Sequence, residues 1–163
     1  MAKKRFPYKS AFVACNGGCR SSKTQDAKCV YGCIGCEQCI LACKFGAIFI
    51  NEHGVAEVDE DKCMACGRCV KFCPQNLISI HDCANTIVVK CSNRDPGKEA
   101  RAVCEVSCIG CGMCEKACTA GAIHVVNHVA VIEEEKCLSC GMCAVKCPRG
   151  AIRDMRGVLT GRR

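Results

Sequence analysis

Cys33-Ile34-Gly35-Cys36-Glu37-Gln38-Cys39-Ile40-Leu41-Ala42-Cys43 decides how this chain is read. Its four cysteines are separated by two, two and three residues. The same spacing returns at Cys63, Cys66, Cys69 and Cys73, at Cys108, Cys111, Cys114 and Cys118, and at Cys137, Cys140, Cys143 and Cys147. Thiolates gathered on so tight a loop suit a cubane of iron and sulfide, and the spacing is that of the bacterial iron–sulfur run. In that pattern the fourth cysteine ligates the cluster of the neighbouring run, so runs work in pairs. Four runs therefore predict four [4Fe-4S] clusters. Cys33, Cys36, Cys39 and Cys73 form one ligand set; Cys63, Cys66, Cys69 and Cys43 form its neighbour. Cys108, Cys111, Cys114 and Cys147 form the third set, and Cys137, Cys140, Cys143 and Cys118 the fourth.

Other uses of cysteine fit less well. Structural zinc favours two Cys-x2-Cys pairs with a longer spacer between them. A small secreted disulfide scaffold would need a leader peptide. The start, Met1-Ala2-Lys3-Lys4-Arg5-Phe6-Pro7, is charged but is not followed by an apolar leader segment. No apolar run is long enough to span a bilayer. A reducing cytoplasm is the expected compartment.

Composition points the same way. Of 163 residues, 22 are cysteine, and with those set aside only about 37% are apolar. There is no Trp, and five Phe and two Tyr complete the aromatics. Such a chain builds little core by itself and needs staples. The clusters are those staples, so the apo chain is expected to be largely unfolded. The formal charge of +7 is offset by the clusters, each roughly −2 with its four thiolates, which leaves the loaded chain near neutrality. Nucleic-acid binding loses its support. Basic residues at the ends (Lys3, Lys4, Arg5, Arg153, Arg156, Arg162 and Arg163) read as solvated tails or as docking strips for an acidic partner.

A repeat of about 75 residues organises the chain. Cys29, Cys33, Cys36, Cys39 and Cys43 shift by 75 onto Cys104, Cys108, Cys111, Cys114 and Cys118, and Gly46-Ala47-Ile48 onto Gly121-Ala122-Ile123. The expected fold is α+β: two tandem bacterial-type 2[4Fe-4S] ferredoxin-like domains related by internal duplication. One spans 1–82 and carries an N-terminal strand extension; the other spans 83–163. Each half leads with an apolar strand (Ala11 to Ala14; Ile87 to Val89). A polar segment follows, a loop over Gly17 to Lys28 in the first half and a short Pro-opened helix over Asp95 to Val103 in the second. Each first cysteine run leads into a short helix. Hairpins follow at Ala47 to Val58, turning over Asn51 to Gly54, and at Ala122 to Ile132, turning near Asn127-His128. Gly35, Gly67, Gly110, Gly112 and Gly141 lie between ligands, where unusual backbone angles can aim amide N–H groups at sulfur. Pro74 and Pro148 follow the last cysteine of their runs, as the bacterial pattern expects. Lys44 and Thr119 stand there in the other two, which leaves the local geometry open.

Six cysteines remain: Cys15, Cys19, Cys29, Cys83, Cys91 and Cys104. Cys29 and Cys104 correspond in the repeat, as Cys15 and Cys91 nearly do. They can be small buried hydrophobes, or Cys15, Cys19 and Cys29 with one more thiol can hold an extra cluster. A metal, a persulfide or a link to a partner is a third reading. His53, His81, His124 and His128 read as solvated histidines at turns and strand ends. There is no dinucleotide fingerprint, phosphate loop or acid–base pair, so no catalytic site is expected and substrate chemistry belongs to another polypeptide.

Two segments resemble one family closely. Val13-Ala14-Cys15-Asn16-Gly17-Gly18-Cys19 with Cys29-Val30-Tyr31-Gly32-Cys33-Ile34-Gly35 is similar to the iron–sulfur region of the B subunit of the Rnf electron-transport complex. So is Val89-Lys90-Cys91-Ser92-Asn93-Arg94-Asp95-Pro96-Gly97-Lys98, running on to Cys104 and Cys108-Ile109-Gly110-Cys111. The resemblance covers about residues 10–152. It implies a subunit that takes electrons from ferredoxin and passes them along a membrane complex linked to NAD and ion transport, in an anaerobic host. The family's apolar N-terminal anchor and additional N-terminal cluster domain have no counterpart in these residues, so no membrane insertion by this chain is expected. The expected function is an electron-transfer subunit relaying low-potential electrons between ferredoxin and a partner flavoprotein or other oxidoreductase subunits. Electron bifurcation fits that setting; a free, diffusible polyferredoxin is the alternative.

Overall fold

The computed structural model describes residues 8–20 and 29–157. Most of the polar segment expected as a loop, and the basic residues Lys3, Lys4, Arg5, Arg162 and Arg163, lie outside them. The chain divides into two compact units. Among the described residues, the first unit holds 8–15 and 33–84; the second holds 16–20, 29–32 and 85–157. The stretch after Cys15 thus groups with the second unit, although the repeat places it in the first half.

The first unit runs strand, helix, hairpin, helix, strand. Strand β1 (Lys9–Val13) is followed by α1 (Gln38–Ala42), β2 (Ile48–Ile50), β3 (Ala56–Val58), α2 (Arg68–Phe72) and β4 (Ile78–Asp82). First and last strands pair antiparallel, from Lys9↔Asp82 to Val13↔Ile78. The Ala14 amide donates to the Leu77 carbonyl at 2.9 Å and the Cys83 amide to the Tyr8 carbonyl at 2.9 Å, which extends the ladder at both ends. β2 and β3 form the hairpin, Ile48↔Val58 to Ile50↔Ala56. Its turn is held by the Asn51 side chain, whose Oδ1 accepts the His53 and Val55 amides, as Asx turns do.

The second unit repeats this order: β5 (Ile87–Val89), then α3 (Gly97–Val103), α4 (Met113–Ala117), β6 (Ile123–Val126), β7 (Val129–Ile132), α5 (Met142–Lys146) and β8 (Ile152–Asp154). β5 pairs with β8, and β6 with β7. α3 is the additional element. The β6–β7 turn is two residues, Asn127 and His128, both left-handed (φ 48° and 64°). That is the pairing a tight hairpin needs to match strand twist.

Each core is small. In the first unit Ala11, Val13, Ala47, Ile48, Ala56, Leu77 and Ile78 pack with Cys39, Cys63 and Cys69. In the second, Ile87, Ile123, Val129, Ala130, Ala144, Ala151 and Ile152 pack with Cys108, Cys114 and Cys143. The alternation of the short strands puts these side chains on the inner face. His81 corrects the expectation of a solvated residue beyond a strand end. It lies inside β4, is only 4% exposed, approaches Ser10 Oγ at 3.2 Å and stacks edge-on against Phe12. The strand runs two residues further than its apolar pattern suggests, because Lys9 and Ser10 pair with it.

No described helix is long and apolar enough to cross a membrane.

Candidate iron–sulfur sites

Each cysteine run folds by one local rule. The residue two places after the first cysteine is left-handed: Gly35 (φ 68°), Ala65 (50°), Gly110 (64°) and Ser139 (50°). So is the residue four places after it: Glu37 (60°), Gly67 (72°), Gly112 (70°) and Gly141 (75°). A third follows the last cysteine by three: Gly46 (59°), Asn76 (52°), Gly121 (59°) and Gly150 (63°). Between the second and third of these lies one five-residue helix, α1, α2, α4 or α5, with the run's third cysteine in its first turn. The fourth cysteine ends the helix in extended backbone, φ −71° to −88° and ψ 102° to 112°. It does so whether Pro74, Pro148, Lys44 or Thr119 follows, so the departure from the bacterial pattern leaves this backbone unchanged.

Left-handed residues in such loops can turn neighbouring amides toward one point, a concavity suited to negative charge. Here that charge is sulfur. Amides of Ala47, Leu77 and Ala122 donate to Cys43 Sγ, Cys73 Sγ and Cys118 Sγ at 3.3–3.4 Å. Those of Ala65 and Ser139 donate to Cys63 Sγ at 3.5 Å and Cys137 Sγ at 3.4 Å. The Ala11 amide, from β1, reaches Cys63 Sγ at 3.3 Å.

The runs meet in pairs. One cavity is lined by Cys33, Cys36, Cys39 and, from the other run, Cys73. A second has Cys63, Cys66, Cys69 and Cys43 on its walls. In the second unit the corresponding quartets are Cys108, Cys111, Cys114 with Cys147, and Cys137, Cys140, Cys143 with Cys118. The remaining lining of each cavity is mostly apolar. Helix pairs α1–α2 and α4–α5 and the closing strands β4 and β8 hold the fourth cysteines across from the first three.

The electrostatics fit a cationic core inside each quartet. The third cysteine of each run is buried; the second is exposed. Burial pushes the thiols of Cys69, Cys114 and Cys143 up to about 11, with neighbouring cysteines of the same quartet adding to it, and pushes Cys39 up likewise. Ferrous and ferric iron would supply the positive charge that favours a group of thiolates there. The exposed second cysteine leaves each quartet one edge near the surface.

The six other cysteines are divided. Cys15 accepts the Cys33 amide at 3.4 Å in the first unit, and Cys83 donates to Ser10 Oγ at 3.3 Å. Cys19 and Cys29 belong to the second unit with Cys91 and Cys104. Cys19 is in hydrogen-bonding contact with Cys29 and with Cys104. Spacing alone does not bring Cys91 and Cys104 beside Cys19 and Cys29, although the correspondence of Cys104 with Cys29 in the repeat is a signal of it. Exposed histidines pair with carboxylates: His124 lies 3.2 Å from both Glu115 and Glu133, and His53 beside Glu52.

Comparison with known proteins agrees with this geometry. The 4Fe-4S dicluster domain family matches the chain at residues 32–77 and again at 107–151. The B subunit of the Na(+)-translocating ferredoxin:NAD(+) oxidoreductase complex of Acetobacterium woodii is 47% identical over 108 residues, 66% of this chain and 32% of that protein. The B subunit of the ion-translocating oxidoreductase complex of Methanosarcina acetivorans is 38% identical over 153 residues, 83% of this chain and 56% of that protein. Pyruvate synthase subunit PorD of Methanocaldococcus jannaschii is 40% identical over 47 residues, 29% of this chain and 55% of that protein. The chain thus spans about a third to just over half of the length of these three relatives. Two matched regions, each coinciding with one pair of quartets, establish that this chain belongs to the 4Fe-4S dicluster domain family.

Proposed function

We propose that this chain is the electron-transfer subunit of a larger anaerobic redox complex, relaying low-potential electrons through four [4Fe-4S] clusters. The ligand sets are the four quartets: Cys33, Cys36, Cys39, Cys73; Cys63, Cys66, Cys69, Cys43; Cys108, Cys111, Cys114, Cys147; and Cys137, Cys140, Cys143, Cys118. One observation carries this reading. Each cavity has three walls from one run and the fourth from its partner, so two clusters share a frame in each unit. Such a frame keeps paired clusters close, as electron hopping requires. The two units then represent one dicluster domain duplicated.

The motifs of the chain are those of cluster ligation and not of substrate chemistry, so donor and acceptor are other proteins. The name of the Acetobacterium relative supports a ferredoxin on one side, and both names support other subunits of an oxidoreductase complex, for which a flavoprotein is the proposed acceptor, on the other. Apolar side chains at the cluster loops favour docking over free diffusion: Ile34 and Leu138, each next to the first cysteine of its run, are 61% and 74% exposed. A cytoplasmic location and electron bifurcation are parts of the same proposal. The test is anaerobic purification with iron and sulfide analysis, EPR-monitored redox titration and identification of what co-purifies. About sixteen irons per chain and a stoichiometric flavoprotein are expected. An intact four-cluster monomer that exchanges electrons with ferredoxin but retains no partner would favour the free polyferredoxin. A colourless, folded, iron-free chain would overturn both.

A further inference from the structure

Four of the cysteines outside the runs converge within the second unit. Cys19 is in hydrogen-bonding contact with Cys104 and with Cys29, and Cys91 is close enough to raise the thiols of both by its charge. These four sulfurs come from four separate points of the sequence, so chance proximity along one loop does not explain them.

The surroundings are built like those of the run quartets. Asn93, 1% exposed, donates its Nδ2 to Cys29 Sγ at 3.4 Å. Its Oδ1 accepts the Asp95 amide at 2.7 Å, which fixes the amide group so that the donor faces sulfur. The Cys108 amide donates to Cys91 Sγ at 3.2 Å. Buried Ser107 holds the Cys104 carbonyl at 3.0 Å and Arg149 Nη2 holds it at 2.8 Å. Asn16 Nδ2 reaches the Gly150 carbonyl at 3.3 Å, and Ser92 Oγ the Tyr31 carbonyl at 2.7 Å. These bonds anchor the segments on either side of residues 21–28. Gly18 is required there: a Cβ would collide with the Val106 side chain and stand 3.0 Å from Cys104 Sγ.

The donor set is all sulfur, with no imidazole or carboxylate, and soft thiolates select iron–sulfur clusters or zinc. The same all-sulfur donor chemistry, with N–H groups aimed at sulfur, is found at the run quartets. N–H donors to Sγ, present here on Cys29 and Cys91, also recur on the run cysteines.

We propose that Cys19, Cys29, Cys91 and Cys104 ligate a fifth [4Fe-4S] cluster, adjacent to the one assigned to Cys108, Cys111, Cys114 and Cys147. Cys108 joins the two: its sulfur lines one site, and its amide donates to a sulfur of the other. The fifth cluster extends the proposed relay by one step and rests on that reading.

The test uses the full chain, purified without oxygen, with iron, sulfide and zinc analysis and native mass spectrometry. The expected result is about twenty irons per chain and a mass carrying five cubanes. The double variant Cys29→Ser/Cys104→Ser should lose about four irons while the EPR signals of the run clusters persist; Cys83→Ser should lose none. A mass with four cubanes and about sixteen irons overturns the fifth cluster alone. So does one zinc in place of the extra iron, or a double variant with undiminished iron. Far fewer than sixteen irons sinks the four-cluster reading and this inference with it. Should the double variant fail to fold, the wild-type mass decides.

Discussion

Cys15 in the first unit and Cys91 in the second occupy equivalent places, and each accepts the amide of the first cysteine in the following run, at 3.4 and 3.2 Å. Beyond that contact the units part. After Cys91 the chain passes Asn93 and Pro96, forms α3 and ends it at Cys104, which returns a thiol toward Cys91. After Cys15 the corresponding stretch joins the second unit, carrying Cys19 and Cys29 with it. A repeated frame can thus be loaded unequally. The quartets are alike because they are made by short local runs; four of the six extra sulfurs fall in the second unit because connecting segments are free to fold elsewhere.

The largest effect expected tests what the units share. Stripping iron from the loaded chain with a chelator and reductant should unfold both, seen as loss of most far-UV circular dichroism and hydrogen-exchange protection. Each core is a handful of Ala, Val, Ile and Leu packed on ligand cysteines, too little to offset chain entropy. A second unit that survives while the first melts would break the likeness.

Next in size is the removal of one crossing ligand. Cys73→Ser should cost the first unit the cluster held with Cys33, Cys36 and Cys39, about four irons, and leave the EPR signals of the second unit in place. Cys147→Ser should do the mirror-image thing. Loss of signals from both units in either variant would show that they do not load independently.

Smaller again is packing. Ile78 opens β4 and Ile152 opens β8; both are nearly inaccessible and lie in their unit's core. Ile78→Ala and Ile152→Ala should each lower stability of the loaded protein by roughly 2–5 kcal/mol, measured by anaerobic denaturant unfolding. If the units are equivalent, the two costs will agree within about 1 kcal/mol.

The quartets were legible in the sequence because each run is local. Fixed spacing singled out sixteen cysteines, and the crossover rule grouped them as they line the four cavities. The hairpins were legible too, through Asn51 and Asn127-His128. What escaped was non-local or disguised. Cys19, Cys29, Cys91 and Cys104 have no fixed spacing among them, so only folding reveals their meeting. His81 was misplaced because Lys9 and Ser10, polar residues, continue the β1–β4 ladder past its apolar part. Glycine pointed to five left-handed positions between ligands, but Glu37, Ala65 and Ser139 adopt the same backbone without being glycine.

Those positions supply the finest comparison, between a frame built with glycine and the same frame built without it. Gly35 and Gly110 approach the hairpin turn of their own unit: a Cβ would lie 3.2 Å from the Gly54 carbonyl oxygen and 3.1 Å from that of His128. Gly35→Ala and Gly110→Ala should therefore each destabilise, by about 1–3 kcal/mol, from left-handed strain and a crowded carbonyl. Ala65 and Ser139 hold the equivalent place in the partner runs at φ 50°, already bearing the strain. Ala65→Gly should relieve about 1–2 kcal/mol of it, while the freer unfolded chain takes back about 0.4–1 kcal/mol. The net change should be small and stabilising, a few tenths of a kcal/mol to about 1, read as a later midpoint in anaerobic denaturant unfolding with iron content unchanged. A clear loss of stability instead would mean that the Ala65 methyl packs against its cluster, and that the non-glycine residues were placed there to shield iron rather than tolerated.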